Sequence, residues 1–381
     1  CNSMSIFTRT IEKTLTESFF QGKVIVLYGA RQVGKTTLVK KLLSEYGEKG
    51  RYLNCENLSV QQGLADMESP RIKAFLGEYS LVVLDEAQKI PDIGKKLKLL
   101  IDTAPDMQII ATGSSSFDLA NRTAEPLTGR TFHFTLTTLS VEEMLQHSNL
   151  FDLTANLPQL LRFGSYPEIV SSSDEQAAHR LNEIASAYLY KDILQFEGIQ
   201  KSSVLQKLLQ LLALQIGNEV SYNELATQLS VSRPTVERYL DILEQSFIVF
   251  TLRAFSRNKR KEISKSVKVY FYDNGMRNSI IQNFNPIDLR EDAGALWENF
   301  CVAERYKYRI AHRLLANTFF WRTYDQKEVD YVEESDGKIR GFEFKWSADK
   351  LPKAPKNFVE PYHADFSVIN PKNCWEFFGI R

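Results

Sequence analysis

Eight consecutive residues near the start of the chain have the types and spacing that bind a phosphate group. In order they are Gly29, Ala30, Arg31, Gln32, Val33, Gly34, Lys35 and Thr36. This is the G-x-x-x-x-G-K-T pattern, in which glycines let the backbone turn tightly and loop amides donate hydrogen bonds to phosphate oxygens. Lys35 can reach the β- and γ-phosphates, and the Thr36 hydroxyl can ligate Mg²⁺. The pattern therefore predicts a nucleotide site over residues 29–37, with Thr37 as its last member.

The elements on either side of this loop are the ones that a phosphate site needs. The apolar run from Val24 to Tyr28 predicts a strand, and residues 37–43 predict a helix. The amino-terminal end of that helix adds partial positive charge at the loop. An ordinary glycine turn before a helix is the alternative, and the complete motif in a strand, loop and helix context disfavours it.

A second predicted strand ends in two acidic residues. Residues 81–84 are Leu-Val-Val-Leu, and Asp85 and Glu86 follow them. A continuous apolar run suits a parallel strand buried on both faces, and ligands bind at the carboxyl ends of such strands. Asp85 would hold Mg²⁺, directly or through water, and Glu86 would orient the attacking water. A strand that merely ends in a charged turn is the alternative, which the complete phosphate loop upstream makes less favoured.

Polar residues also follow the next apolar strand. Residues 107–112 end at Thr112, and Gly113 and Ser114 come next. An intervening strand between the two nucleotide motifs is typical of ATPases with an added catalytic glutamate, in which Thr112 or Ser114 would sense the γ-phosphate. A serine-rich turn is the alternative. Arg130, before a fifth predicted strand, is a candidate for neutralising transition-state charge in cis or across a subunit interface, or else it is a solvated loop residue.

The middle of the chain has the pattern of a winged helix. Two helices joined by a turn are predicted over residues 222–244, and a hairpin follows with the basic loop 257–261 at its tip. The outward face of the second helix mixes charges of both signs, contributed by Arg233, Glu237, Arg238, Asp241 and Glu244. A basic loop can contact phosphates, whereas mixed charges do not favour reading a DNA groove. Contact with DNA and contact with protein therefore both stay open.

The C-terminal part carries acidic residues with the spacing of a metal-dependent nuclease. Asp330 lies on one predicted strand, and Glu343 and Lys345 share one face of the next. Glu298, on a predicted helix, is a third acid. The three carboxylates would bind a Mg²⁺ ion that activates water, while Lys345 offsets the charge of a phosphate. A half-exposed sheet with alternating charges is the alternative, and nuclease-like folds also persist as binding domains without cleavage.

Composition limits the remaining possibilities. The 381 residues favour two or three domains, and 47 basic against 47 acidic side chains give no global attraction to nucleic acid or anionic membranes. The four cysteines are far apart, which indicates neither a zinc site nor a disulfide framework. No apolar run is long enough to span a bilayer, and no signal peptide precedes Met4. We therefore expect a reduced, cytoplasmic protein with no membrane partner.

Taken together, these motifs resemble a family of bacterial and archaeal AAA-type P-loop ATPases with a C-terminal restriction-endonuclease-like domain of unassigned function. The matching segments are GARQVGKTTL, LVVLDEAQKIP, ATGSSS, LTGR, FGSYPE, YLYKDI, YFYDNGMRN, GALWENF, EVDYV and FEFKWS. The resemblance implies ATP binding and hydrolysis at the loop and strand residues named above, and a nuclease-like site at the three C-terminal acids and Lys345. The expected fold is α/β, with an AAA-type parallel-sheet ATPase domain at 1–170, a helical and winged-helix region at 171–275 and a nuclease-like α/β domain at 276–381.

Two functional hypotheses follow. In the first, Mg²⁺-dependent ATP hydrolysis drives or switches an activity on double-stranded DNA through the winged-helix and nuclease-like parts. In the second, nucleotide controls signalling or assembly with protein partners or a second copy of the chain, and the nuclease-like domain is an inactive interaction module. A small-molecule kinase is less favoured, because Asp85 and Glu86 suit attack by water. DNA-stimulated phosphate release would separate the first two hypotheses.

Overall fold

The structure, a computed structural model, describes residues 7–65, 69–114, 127, 129–188, 202–255, 267–323, 325, 327–347 and 351–380. The basic loop predicted at 257–261 and most of the YLYKDI segment lie outside these residues. The chain forms two compact units. The N-terminal unit comprises residues 8–137 with 245–247, and the C-terminal unit comprises the rest.

The N-terminal unit is built on a parallel sheet. In the described residues this sheet has five strands: β1 Val24–Tyr28, β2 Gly50–Asn54, β3 Leu81–Asp85, β4 Gln108–Gly113 and β5 Thr131–Thr135. Their order is β2-β3-β4-β1-β5, and each adjacent pair is parallel. Every residue of β1, β3 and β4 is buried, as expected for central strands covered on both faces. The predicted α/β class is confirmed by this sheet.

In the described residues, helices precede β1 and lie between the consecutive strands from β1 to β4. Those in the described part of the N-terminal unit are α1 Ile11–Thr16, α2 Lys35–Ser44, α3 Leu58–Gly63, α4 Ser69–Leu76 and α5 Ile93–Thr103. Helix α2 begins directly after the glycine loop and buries Leu38, Val39 and Leu42. Because the strands are parallel, the carboxyl ends of β1, β3 and β4 meet at one edge of the sheet. Strand β4 lies between the other two, so all three polar segments predicted from the sequence are neighbours there.

The C-terminal unit is built on a mixed sheet. Its seven strands in the described residues are β6 Glu219–Val220, β7 Val249–Ala254, β8 Val267–Phe271, β9 Asn317–Arg322, β10 Glu328–Ser335, β11 Lys338–Phe344 and β12 Asp365–Ile369. They lie in the order β12-β11-β10-β9-β7-β8-β6. The pairs β7·β9 and β11·β12 are parallel, and the other neighbours are antiparallel.

Helices of the C-terminal unit lie before, between and after these strands. Their bounds are α6 Val141–Met144, α7 Leu150–Phe163, α8 Pro167–Val170, α9 Asp174–Ala187, α10 Ser202–Leu214, α11 Tyr222–Leu229, α12 Arg233–Gln245, α13 Asn274–Ile280, α14 Ala293–Ala311, α15 Lys356–Tyr362 and α16 Cys374–Phe377. Helix α14 packs on the sheet through Trp297, whose indole Nε1 donates to the Ile369 carbonyl at 3.3 Å. The Asn299 amide also accepts from the Phe271 N–H at 2.7 Å, which fixes α14 against β8.

The two units do not follow the predicted division at residues 170 and 275. Strands β7 and β8, predicted as a wing, belong to the same sheet as β9, β10 and β11, predicted as the nuclease-like part. Pairing between residues far apart in the chain is what a strand pattern alone does not reveal. The limits of independently folding domains stay a prediction. Across the described stretches, we find no helix with the length and apolar character needed to cross a bilayer.

Candidate functional site

The glycine loop after β1 is shaped by close backbone packing. Gly29 lies so near the chain that follows β5 that a Cβ on it would sit 2.1 Å from the Leu136 carbonyl oxygen. Gly34, just before α2, has a left-handed φ of 99°, a conformation that glycine adopts without steric cost. Gln32 is also left-handed, with a φ of 62°. Close packing at the first glycine and a left-handed backbone at the second therefore explain why both positions are glycine.

The Lys35 side chain points back into this loop. Its ammonium donates to the carbonyl oxygens of Gly29 and Ala30, each at 2.8 Å, and the residue is 5% exposed. These two bonds hold the ammonium against the glycine loop, and backbone carbonyls carry only partial negative charge. A lysine in this position is what the phosphate-binding pattern predicts.

Asp85, at the end of β3, is the point where the other predicted residues meet. Its Oδ2 accepts from the Thr36 hydroxyl at 2.8 Å and from the Tyr52 hydroxyl at 2.5 Å. Its Oδ1 accepts from the Thr112 hydroxyl. Burial and the adjacent carboxylate raise the pKa of Tyr52, so the phenol stays a donor. The structure thus brings Thr36, Asp85 and Thr112 together, and it adds Tyr52 from β2, which the sequence reasoning missed.

Glu86 is held next to this cluster by both its backbone and its side chain. Its N–H donates to the Thr112 hydroxyl at 3.1 Å, and its φ of 56° lies in the left-handed region. Such a conformation in a non-glycine residue costs roughly 1–3 kcal/mol, and it is commonest at functional sites. The Gln88 amide donates to the Glu86 carboxylate and, at 3.4 Å, to the Ser114 hydroxyl. Gln88 was missed, although it lies within the segment LVVLDEAQKIP.

Arg130 is not brought to this edge of the sheet. Its carbonyl accepts from the N–H of Val24, the first residue of β1, at 3.0 Å, and its guanidinium pairs with Asp102. A strand of five residues spans roughly 17 Å, so Arg130 lies about that far from the carboxyl-end cluster. The cis role predicted for Arg130 does not fit this position, because the residue precedes its strand instead of following it. A role across a subunit interface stays a prediction.

A different arginine contacts the loop. Arg9 is 6% exposed, and its guanidinium donates to the Val33 carbonyl at 2.7 Å and to the Thr137 carbonyl at 2.8 Å. It therefore ties the loop to the segment after β5. No motif in the sequence marks Arg9, and its contact with Val33 joins residues that are 24 positions apart.

The acidic residues predicted as a nuclease site surround a lysine. The Lys268 ammonium, from β8, lies 3.0 Å from Glu298 Oε1 and 3.6 Å from Asp330 Oδ1, and it also contacts the Glu328 carboxylate. The Lys268 side chain is 2% exposed. The Tyr270 hydroxyl donates to the same Glu298 oxygen at 2.7 Å. Lys268, Tyr270 and Glu328 were missed, because nothing in the sequence brings β8 near β10.

The remaining two predicted residues lie beside this group. Glu343, on β11, pairs at 2.8 Å with Lys345, which directly follows the strand. Burial, followed by the negative charge of Asp330, raises the pKa of Glu298 to about 7. Burial also raises the pKa of Asp330, against the lowering effect of Lys268.

The predicted metal site at Glu298, Asp330 and Glu343 needs correction. Among the residues that the structure describes, no three acidic, histidine or cysteine side chains converge so that they could hold a metal ion. Glu298 and Asp330 instead share the Lys268 ammonium as a partner, and this ion pairing is not what a metal site requires.

The second helix of the predicted winged-helix region carries charges of both signs. On α12, Arg233 is paired with Glu237 at 2.8 Å. Burial, followed by the negative charges of Glu244, Asp241 and Glu237, raises the pKa of Tyr222 to about 12. The Arg233 guanidinium also lies over the Tyr222 ring, 5.8 Å from its centre, so charges of both signs meet here and contact with DNA and contact with protein both stay open.

Known families and proteins match the sequence over most of the chain. Residues 21–145 match the AAA domain family, and residues 154–286 and 293–373 match two domains of unknown function, DUF8612 and DUF4143. The chain is 30% identical over 346 residues to the uncharacterized protein Rv2008c of Mycobacterium tuberculosis, covering 90% of this chain and 74% of that protein. The chain belongs to the Rv2008c family. The AAA match supports a nucleotide-hydrolysing P-loop ATPase, and the other two matches leave the winged-helix and nuclease-like parts untested.

More distant relatives come from an archaeon. The uncharacterized protein MJ1544 of Methanocaldococcus jannaschii is 25% identical over 332 residues, covering 79% of this chain and 74% of that protein. MJ1637 of the same organism is 26% identical over 287 residues, covering 65% of this chain and 60% of that protein. Among solved structures, the Pif1 helicase from Candida albicans is 17% identical over 56% of each chain with a TM-score of 0.27, which is too low to inform on function.

Proposed function

We propose that this member of the Rv2008c family binds and hydrolyses ATP with Mg²⁺ at the carboxyl ends of β1, β3 and β4. The observation that carries the proposal is the 2.8 Å contact between the Thr36 hydroxyl and the Asp85 carboxylate. It places two oxygen ligands of the kind that Mg²⁺ prefers side by side, directly after a glycine loop. These residues fit the ion, and Thr36 and Asp85 would hold it.

Each neighbouring side chain has a proposed part in the reaction. Lys35 attracts the β- and γ-phosphates, and the loop amides from Gly29 to Thr37 bind their oxygens. Bound Mg²⁺ supplies charge neutralisation on those oxygens. Glu86 orients and polarises the attacking water, and Gln88 keeps the Glu86 carboxylate in place. Thr112 or Ser114 would sense the γ-phosphate, since Thr112 contacts Asp85 and Glu86, and Ser114 contacts Gln88.

For the output of the nucleotide cycle, we propose a controlled interaction with protein partners or a second copy of the chain. The DNA-associated activity predicted from the sequence relied on the basic loop at 257–261, which the structure does not describe, and on a metal-dependent acidic site. The ammonium of Lys268 weighs against the metal-dependent site. The interaction hypothesis needs neither a metal nor a DNA contact in the C-terminal unit.

The test is phosphate release from ATP by the full chain, with and without double-stranded DNA. We expect Lys35→Ala to lower the rate by about 100-fold or more, because it removes the charge facing the phosphates. Lys41→Ala is the matched control, since this lysine lies on the same helix and pairs with Glu12 at 2.7 Å. A rate that survives Lys35→Ala would contradict the ATPase proposal. A Lys35-dependent rate that rises with DNA would contradict the interaction output and restore the DNA-associated activity.

A further inference from the structure

We propose that the Lys268 ammonium is the resident cation of the C-terminal acidic cluster, formed by Glu298, Glu328 and Asp330, and that it stands in for a divalent metal ion. The cluster would then have no room for Mg²⁺ or Mn²⁺ while Lys268 is present. The inference concerns the C-terminal unit alone and does not depend on the proposed ATPase activity.

The first argument is position. The ammonium contacts carboxylates from two elements, with Glu298 on α14 and both Glu328 and Asp330 on β10. One ammonium therefore contacts three acidic side chains, in the role that a cation would have among them. Mg²⁺ prefers oxygen ligands, so we expect these acids to become available to a divalent ion only once the ammonium is removed.

The second argument is permanence. Lys268 lies on β8, between β7 and β6, and all five residues of β8 are buried. The side chain is 2% exposed, and it lies over the Phe320 ring with its ammonium 5.8 Å from the ring centre. Because the side chain is almost inaccessible and paired with three acids, we treat the ammonium as a fixed part of the cluster.

The third argument is charge. A divalent ion bound to the Glu298 and Asp330 oxygens would lie within a few ångströms of the ammonium, and like charges so close in a buried site repel strongly. Glu298 Oε1 is also bonded to the Tyr270 hydroxyl. The fourth acid nearby, Glu343, is paired with Lys345 at the more exposed side. Glu328 of the cluster also lies 4.0 Å from the Arg322 guanidinium, so cations already face these acids without a metal ion.

Lys268 could serve only as a structural ion-pair partner, or it could take the place of a metal ion. The two roles predict different results when Lys268 is replaced by a neutral residue. If Lys268 occupies a cation position, then Lys268→Met leaves a set of carboxylates that a metal ion can bind. If the acids are instead spread too far apart for one ion, the same change leaves only unpaired charges. Lys345→Met is the matched control, because it also removes a lysine from the region but leaves Lys268 in place.

The experiment is a titration of the full chain with Mn²⁺ alone, followed by electron paramagnetic resonance of the free ion and by the melting temperature. All variants carry Asp85→Asn to remove the proposed metal ligand of the N-terminal unit. We expect no stoichiometric Mn²⁺ binding with Lys268 present or with Lys345→Met. With Lys268→Met, we expect one Mn²⁺ ion per chain, bound at least about tenfold more tightly than any Mn²⁺ that the chain with Lys268 retains. We also expect Mn²⁺ to raise the melting temperature of this variant.

Two results would overturn the proposal. One is a folded Lys268→Met chain that binds no Mn²⁺. The other is Mn²⁺ binding by the chain with Lys268 intact that is lost on Asp330→Asn. If Lys268→Met does not fold even with Mn²⁺, the intact chain decides: binding that Asp330→Asn does not change, or no binding at all, supports the proposal, and binding that depends on Asp330 contradicts it.

Discussion

Two buried lysines of this chain have opposite surroundings. Lys35 in the N-terminal unit donates to two backbone carbonyl oxygens of the glycine loop, which carry only partial negative charge. Lys268 in the C-terminal unit meets three carboxylates, which already compensate its charge. Both are almost inaccessible to solvent. The comparison shows that burial of a lysine does not by itself indicate a ligand site, and that the oxygens around it decide.

The acids of the two units differ in the same way. Asp85 receives hydrogen bonds from the neutral hydroxyls of Thr36, Tyr52 and Thr112, so its negative charge stays available for a cation. Asp330 faces the Lys268 ammonium and accepts from the Phe344 N–H at 2.9 Å. We therefore expect the first cluster to respond to Mg²⁺ and nucleotide, and the second to respond mainly to pH and to loss of its lysine.

The largest effect should come from the acid that we place next to the reacting water. Glu86→Gln keeps the side-chain shape but removes the carboxylate, and loss of such a group typically costs about 10²–10⁴-fold in rate. We expect phosphate release to fall by that factor while binding of a fluorescent ATP analogue is retained. Glu343→Gln, in the cluster that we consider inactive, serves as the control and should leave the rate unchanged. A Glu86→Gln chain with normal turnover would remove Glu86 from the mechanism.

The stability cost of neutralising each lysine should separate the two clusters. Lys268→Met leaves buried carboxylates without their cation, and breaking such pairs costs about 3–5 kcal/mol. Lys35→Met removes bonds to two carbonyls and should cost only about 1–2 kcal/mol without nucleotide. All four tryptophans lie in the C-terminal unit, so their fluorescence in urea follows the first change, and circular dichroism follows the second. Equal losses would show that the surrounding oxygens do not matter as we infer.

The pH dependence of stability should come from the C-terminal cluster. The pKa of Glu298 is raised to about 7, above its ordinary value of 4.5, so between these values the folded state binds more protons than the unfolded state. Its contribution is therefore fully favourable below about pH 4.5 and is lost as the pH rises through 7. We expect tryptophan-detected stability to fall by about 1–3 kcal/mol over this window relative to Glu298→Gln. Parallel pH profiles of the two chains would contradict this expectation.

The smallest effect should be at Tyr52. Tyr52→Phe removes one neutral donor from Asp85 Oδ2 and leaves Thr36 in contact with the same oxygen. Loss of one such hydrogen bond costs about 1 kcal/mol, so we expect the Mg²⁺ concentration at half-maximal ATPase rate to rise about fivefold. Tyr46→Phe, which changes a tyrosine beyond the end of α2, is the control. An unchanged Mg²⁺ dependence would mean that Tyr52 does not position Asp85.

The nucleotide site could be predicted in large part because its signals are local. The loop from Gly29 to Thr36 specifies its own turns by glycine, and Asp85 and Glu86 directly follow an apolar strand. The contacts of Thr112 with Asp85, and of Arg9 with the loop, join residues 27 and 24 positions apart, and no spacing rule indicates them. Gln88 lies in the segment LVVLDEAQKIP, but its contact with Ser114 depends on the pairing of β3 with β4, which the sequence does not indicate.

The C-terminal cluster was predicted only in part for the same reason. The spacing of Glu343 and Lys345 predicted that their side chains share one face, because side chains two positions apart in a strand point the same way. The role of Lys268 could not be predicted, because the pattern V-K-V-Y-F suggests a strand whose lysine faces solvent. The structure buries all five residues of this strand. What determines that burial is the pairing of β7 with β9, between residues more than 60 positions apart.

That pairing also determines how the chain can be divided. The ladder between Arg253 and Ala254 of β7 and Phe319 and Phe320 of β9 crosses the place where the sequence suggested a domain boundary. A fragment ending at residue 275 would leave the β7 edge without its neighbour, and a fragment starting there would do the same to β9. Unpaired strand edges template association with other chains, so either half is expected to be prone to aggregation. Experiments on the C-terminal unit should therefore keep β7 and β9 in the same polypeptide.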